Sequence, residues 1–325
     1  MGTGSVARGN YLPCLSAQED VELGYYNRTR AKADAVAEEF GGTVFDSVAS
    51  LVAWSPDSVM VLTKETDRLK ASLALLDCGP KRVFFEKPLV AQLGQENVSE
   101  DDFTAVRDLL AKANEIDCET AMVFNYRFFD HPLLAKQIIE ERGFGKAVNI
   151  TGLVHYACWS HAIDLVHHFA DPVTQLTALQ SDGIKGDKIP SQDVTAAFRT
   201  AEDGTGTLIA SSALNWAFPL FELTINFEGG RIHIRDLDGD MEVLDNKTGR
   251  HEVYSVSRDR SRWDQYKNSF VKSTLAYLAS IREGEAPPVL GISGLQELQV
   301  EAAIKRSIRE ERTVDVQEEF KTGSS

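Results

Sequence analysis

The chain has 325 residues and carries 34 Lys and Arg against 49 Asp and Glu, a net charge of −15. That balance excludes a nucleic-acid binder, which needs a concentrated basic surface, yet leaves room for a pocket that takes one small anion. The length suggests about two domains, no charged-then-apolar leader opens the chain, and no apolar run reaches the ~18 residues of a membrane span.

The expectation is therefore a soluble cytoplasmic protein with no membrane partner. Cys14, Cys78, Cys118 and Cys158 are too widely spaced for a C-x-x-C pair or a zinc pattern. They read as reduced thiols, and no metal is expected.

Gly2-Thr3-Gly4-Ser5-Val6-Ala7 has the spacing G-x-G-x-x-A. Glycines let the backbone turn tightly and approach a pyrophosphate, and a following helix start offers free N–H groups to the anion. Gly2, Gly4, Ser5 and Val6 are the expected contacts. Glycines near a terminus also read simply as flexible chain. The strand that should precede such a turn is missing, because only Met1 stands before it. Either the recorded sequence begins inside the natural reading frame, short of a strand of ~6 to 8 residues, or the strand is absent and the cofactor site impaired.

Val21 to Tyr26 is strand-like, and Asn27-Arg28-Thr29-Arg30 opens a helix to Phe40. An acid closing this strand would accept from the ribose 2′-hydroxyl of NAD, whereas a neutral residue followed by arginine suits the 2′-phosphate of NADP. Asn27-Arg28 therefore favours NADP(H), with NAD(H) second. The alternative is that Arg28 and Arg30 are exposed first-turn residues. Ser58 to Thr63 is the next strand, and Asp67 to Cys78 is a helix stopped by Gly79-Pro80.

Arg82 to Phe85 then delivers Glu86-Lys87-Pro88. Ligands bind at the carboxyl ends of strands in open α/β sheets. A lysine there can steer a proton or stabilise an alkoxide. The alternative is a solvated Glu-Lys pair. Helix 101–115 and strand 120–124 lead to Asn125-Tyr126-Arg127-Phe128. This alternation predicts a parallel sheet, an α/β domain over residues 1–123.

From residue 124 to 325 the pattern is α+β, with an open, mainly antiparallel sheet. After helix 133–141, strands are expected at 148–156, 173–180, 194–199, 207–212, 221–227, 231–235 and 252–256. Helices follow at 264–282 and 294–309, and residues 321–325 read as a frayed tail. Among the strands, Cys158 to Phe169 is helical. His161 and Asp164 sit three apart and share a face. A neutral imidazole can take a hydroxyl proton, and a carboxylate can fix its tautomer. Alternatively, His161 caps the helix and Asp164 pairs with His168. His167 and His168 read as ordinary helix residues.

The set Gly2-x-Gly4-x-x-Ala7, Asn27-Arg28, Glu86-Lys87-Pro88, Asn125-Tyr126-Arg127-Phe128, His161-x-x-Asp164 and Gly291-x-x-Gly294-Leu295 resembles the glucose–fructose oxidoreductase / inositol dehydrogenase / rhizopine-catabolism (Gfo/Idh/MocA) family, in family order and over nearly the whole chain. The resemblance implies a Rossmann domain, an oligomerising sheet domain (dimer or tetramer), and hydride transfer between a nicotinamide and a carbinol carbon of a sugar, cyclitol or nucleotide sugar. It implies that Lys87 orients and polarises the reacting oxygen and that His161 is the general acid/base. Asp164 would support His161 or bind a substrate hydroxyl. Thr63 and Glu86 would line the nicotinamide side, and Asn125, Arg127, Tyr156 and Trp159 the substrate side.

Two departures stand out. Ala157 occupies the position, four residues before the histidine, where the family commonly has an aspartate. Tyr156 or His155 compensates, or His161 acts with Lys87 alone. Thr63-Lys64 replaces a frequent Thr-Pro. The leading expectation is an NAD(P)-dependent oxidoreductase. A non-catalytic dinucleotide- and sugar-binding regulator on the same fold is the alternative, and an imine or enone reductase a third. Substrate identity and reaction direction are not written in the residues.

Overall fold

The computed structural model describes residues 1–236, 238–255 and 261–323. It divides into two compact units. One holds Met1–Phe124 and Phe270–Leu298, the other Asn125–Ser269 and Gln299–Thr322. The first unit thus takes back a segment from late in the chain. The reason is a sheet edge. Strand edges left open present unpaired backbone groups, and the returning segment covers one. Met122 N–H donates to Val289 O at 3.0 Å and Gly291 N–H donates to Thr120 O at 2.9 Å. A side chain at Gly294 would collide with Met122 Sδ, which gives the Gly291-x-x-Gly294 spacing a packing cause.

In the first unit, β1 (Gly24–Tyr25) and β2 (Thr43–Val44) form one parallel pair, and β3 (Val59–Val61), β4 (Arg82–Phe85) and β5 (Glu119–Met122) form a parallel sheet in that order. Val83, Phe84 and Phe85 of β4 are all buried, as expected of a strand covered on both faces. The helices between strands are α1 (Leu12–Leu15), α2 (Arg30–Phe40), α3 (Val48–Ala53), α4 (Glu65–Leu76) and α5 (Glu100–Glu115). Helix α3 was not expected; Ser47 and Ser50 build its capping box. Between the two sheet pieces lies Met1-Gly2. The Met1 amine donates to Met60 O (2.6 Å), Leu62 N–H to Met1 O (2.8 Å), and Gly2 N–H to Tyr26 O (3.1 Å). Met1 and Gly2 thus bridge the two sheet pieces through backbone hydrogen bonds.

The second unit is built on a nine-stranded sheet. Its strands are β6 (Ala147–His155), β7 (Val173–Ile184), β8 (Gln192–Thr200), β9 (Thr205–Ser211), β10 (Phe221–Phe227), β11 (Gly230–Arg235), β12 (Met241–Asp245), β13 (Arg250–Tyr254) and β14 (Val314–Asp315), in the order β13-β12-β11-β10-β6-β9-β8-β7-β14. All neighbours are antiparallel except β6 and β9.

Strand β12 was not anticipated. The expected strand 252–256 lies at Arg250–Tyr254, and Val256 falls outside the described residues. One face of the sheet is buried by alternation, for example Ile150, Gly152 and Val154 on β6. Helices α6 (Asp130–Arg142), α7 (Trp159–Phe169), α8 (Arg262–Glu283), α9 (Ile292–Glu310) and α10 (Val316–Glu319) complete the chain, with α8 and α9 crossing the division between units. Phe320 is buried, so the chain is packed up to the start of the tail expected to fray at 321–325, of which Ser324 and Ser325 fall outside the described residues. Among the described residues no helix is long and apolar enough to cross a membrane.

Candidate active site

The glycine turn opens a helical stretch that runs from Ser5 through Ala7–Tyr11 into α1. Gly2 has φ +84°, and a Cβ there would lie 2.7 Å from Thr63 N, against the end of β3. Only glycine fits both conditions. Gly4 faces open space, and Ser5 and Val6 are exposed beside it.

Asn27 is committed to holding this turn. Its Oδ1 accepts from Thr3 N–H at 3.3 Å and its Nδ2 donates to Thr29 O at 2.9 Å. Arg28 is 87% exposed, with only a 4.0 Å ion pair to Asp67, whereas Arg30 is paired with Asp34 and Asp46. Arg28 thus keeps its charge open to solvent. The Thr3 and Thr63 hydroxyls are buried without a hydrogen-bond partner among the described residues. A glycine held against a strand end, room at Gly4, two orphaned hydroxyls and an available arginine fit a dinucleotide.

The Glu86-Lys87-Pro88 turn at the end of β4 is locked from within. Glu86 is buried; Tyr11 OH donates to its Oε1 at 3.0 Å and Lys87 N–H to its Oε2 at 2.5 Å. The Lys87–Pro88 peptide bond is cis. Arg68 of α4, 3% exposed, donates to Glu86 O (2.7 Å), Thr63 O (2.7 Å) and Pro88 O, tying the ends of β3 and β4 together.

Burial pushes the Glu86 carboxyl up, opposed by the Arg68 and Lys87 charges, and burial lowers Arg68, opposed chiefly by Glu86. Each charge offsets only part of the other's shift, and burial outweighs it in both groups. Lys87 itself is half-buried, and its amine makes no hydrogen bond or ion pair among the described residues. The solvated Glu-Lys pair is thereby excluded. Tyr11 and Arg68 were not singled out from the sequence; an arginine on a helix gives no sign that it will be buried.

In the second unit, the turn Asn125–Phe128 faces α7. The rings of Tyr126 and His161 stack with centroids 3.8 Å apart and planes 5° apart. Tyr126 OH and Cys158 Sγ share a hydrogen bond of 3.2 Å. His161 is 2% exposed.

Asp164 takes neither of its expected partners, His161 or His168. Both its oxygens are held by Arg127, Nε to Oδ2 at 2.8 Å and Nη2 to Oδ1 at 2.5 Å. The sequence reading missed this pair because the guanidinium arrives from 37 residues away. Burial pushes Asp164 up to about 6, with Arg127 working against it. His167 and His168 are half-buried helix residues, and burial, with the Arg127 charge, lowers them to about 4 and about 3. Asn125, fully buried, donates from Nδ2 to Ser269 Oγ at 2.9 Å. Tyr156 and Trp159 are buried with their rings stacked at 6.5 Å. His155 accepts from Ala157 N–H at 3.0 Å and so shapes the turn into α7.

The sequence profile described as "Oxidoreductase family, NAD-binding Rossmann fold" matches residues 1–100. Glucose-6-phosphate 3-dehydrogenase of Bacillus subtilis (strain 168) is 26% identical over 157 residues, 48% of this chain and 41% of that protein, so the chain spans less than half the length of this curated relative. Among solved structures, an oxidoreductase from Agrobacterium radiobacter, in complex with NAD+, L-tartaric acid and magnesium, has a TM-score of 0.80 at 15% identity over 98% of this chain and 97% of its own. The WlbA dehydrogenase from Bordetella pertussis, in complex with NADH and UDP-GlcNAcA, has a TM-score of 0.74 at 16% identity over 97% of this chain and 96% of its own. These likenesses show the fold, a Rossmann domain with a C-terminal sheet domain. Profile, relative and architecture agree with the resemblance to the Gfo/Idh/MocA oxidoreductases read from the sequence motifs, the profile covering the first 100 residues.

Proposed function

We propose that the protein is an NAD(P)-dependent oxidoreductase that moves a hydride between nicotinamide and a carbinol or keto carbon of a sugar, cyclitol or nucleotide sugar. The observation that carries this reading is Lys87. Its amine is half-buried and unpartnered among the described residues, on a turn whose other groups are all committed. A core has no use for such a group, and an alkoxide does. The names of the relatives agree: one is a glucose-6-phosphate 3-dehydrogenase, another holds a nucleotide sugar beside NADH.

Gly2, Gly4, Ser5 and Val6 hold the pyrophosphate in this reading, and Thr63, Glu86 and Lys87 border the nicotinamide. Arg28 meets a 2′-phosphate, with Asn27 fixing the turn beside it, which favours NADP(H) over NAD(H). When bound, the nicotinamide supplies the hydride acceptor or donor. In the oxidative direction, His161 takes the proton as the hydroxyl O–H bond breaks, while Lys87 stabilises the oxygen until the C=O bond forms. In reduction His161 returns that proton. Asp164 acts indirectly, by anchoring Arg127, and the buried Asn125, Tyr156 and Trp159 frame the substrate side. Homo-oligomerisation through the open sheet face, where Leu153 is 38% and Leu179 74% exposed, belongs to the same proposal.

The non-catalytic reading has one observation on its side. Asp164 is committed to Arg127, and Ala157 offers no carboxylate in its place. Lys87→Ala separates the two. Turnover with a sugar substrate should fall by roughly a thousandfold with dinucleotide affinity unchanged. Turnover equal to the parent's would overturn the assigned role.

A further inference from the structure

Aromatic rings of the second unit form two runs, one at His161 and one that reaches solvent. His161 lies on Tyr126. In the second run Tyr266 meets Trp263 edge-on, with centroids 6.2 Å apart. Trp263 stacks on Trp216 at 6.1 Å and 21°. The run then returns, since the His155 ring lies 4.6 Å from Trp216 and His155 opens the turn that leads to His161. Its outer end is exposed: Trp263 is 53% exposed.

This outer end is built, not loose. Arg262, with a side chain 14% exposed, donates to Trp216 O (3.0 Å) and Phe218 O (3.1 Å) and pairs with Asp236 at 2.5 Å and Asp238 at 3.3 Å. One guanidinium thus fixes the loop that carries Trp216 to the start of α8, which carries Trp263. Exposed indoles are costly to leave in water, and where they are held rigid they mark binding surfaces.

We propose that Trp263, backed by Trp216, is the stacking surface for the substrate's sugar ring. The inference rests on the sugar-directed reading above. A pyranose presents one face of C–H bonds, apolar and weakly positive, and an indole presents an apolar, electron-rich face. The His155–Trp216 contact joins this surface to the turn that leads into α7 and His161, the side on which a ring attached to the reacting carbinol has to lie. The same contact favours a substrate over a second copy of the chain as the occupant.

The test is a saturation-transfer NMR titration of the full chain, without dinucleotide, using glucose 6-phosphate, levoglucosan and UDP-N-acetylglucosamine as probes. At least one probe should bind, with transfer concentrated on protons of one ring face. Trp263→Ala should weaken it by roughly tenfold or more, and Trp263→Tyr should restore most of the affinity. No binding by any probe overturns the proposal, as does equal affinity in Trp263→Ala. So does a Trp263→Ala protein that changes only its oligomeric state in light scattering. Failure of the oxidoreductase reading looks different: sugar binding stays dependent on Trp263, but no probe is turned over with either dinucleotide.

Discussion

Arg127 grips both carboxylate oxygens of Asp164, and Asp164 is 1% exposed. Removing one partner strands the other's charge in a dry site. Asp164→Ala should therefore cost about 3–5 kcal/mol in urea unfolding. Replacing both partners by Arg127→Met and Asp164→Leu should recover most of that loss. A single-variant cost below ~1 kcal/mol would show that the pair is solvated after all.

The lowered histidines on α7 predict an acid-labile second unit. For His167 the unfolded value is 6.5 and the folded value about 4. Folding holds fewer protons on it within that window, so its contribution is complete above pH 6.5 and lost as the pH falls towards 4. Its Nε2 accepts from Val173 N–H at 3.4 Å, a bond that protonation removes. Asp164, raised from 3.8 to about 6, works in the opposite direction over its own window. The difference between parent and His167→Gln isolates the histidine: the variant's urea midpoint should fall less between pH 7 and pH 5. Parallel curves would refute the assignment.

Arg28 should read the 2′-phosphate. Arg28→Ala is expected to weaken NADPH by roughly 10- to 100-fold, the loss of one charge-assisted hydrogen bond, and to leave NADH within a factor of about two. Nicotinamide fluorescence titrations decide this, and equal losses for the two dinucleotides would return Arg28 to the solvent.

Arg68 is predicted to be worth more than any other arginine of the first unit. Arg68→Met leaves Glu86 buried without its nearest cation and three carbonyls short of a donor. A cost of about 3–5 kcal/mol is expected in thermal or urea melts. Adding Glu86→Gln should give part of it back. No recovery in the double variant would mean that Arg68 acts through the carbonyls alone.

Local signals were legible and distant ones were not. Arg82 to Phe85 reads as a strand because its apolar run stops at Glu86-Lys87-Pro88, and it is one. Helix 158–169 declares itself through its apolar stripe, and α7 occupies nearly that span. Yet the partner of Asp164 was misread, because residue spacing on one helix says nothing about a guanidinium arriving from another element. Arg68 stayed invisible because sequence records charge and not burial. Strand β12 lies between the Asp-Gly-Asp and Asn-Lys turns, and its five residues are too few for alternation to stand out. The return of Phe270–Leu298 to the first unit is a matter of tertiary packing that no local pattern encodes.

That return also sets a schedule for making the protein. Domains tend to fold as they leave the ribosome, amino-terminal parts first. Here the edge of β5 stays uncovered until Val289 and Gly291 have been synthesised, after every strand from β6 to β13. The unit that begins first is therefore completed late, and its sheet edge stays unpaired while the strands of the second unit are made.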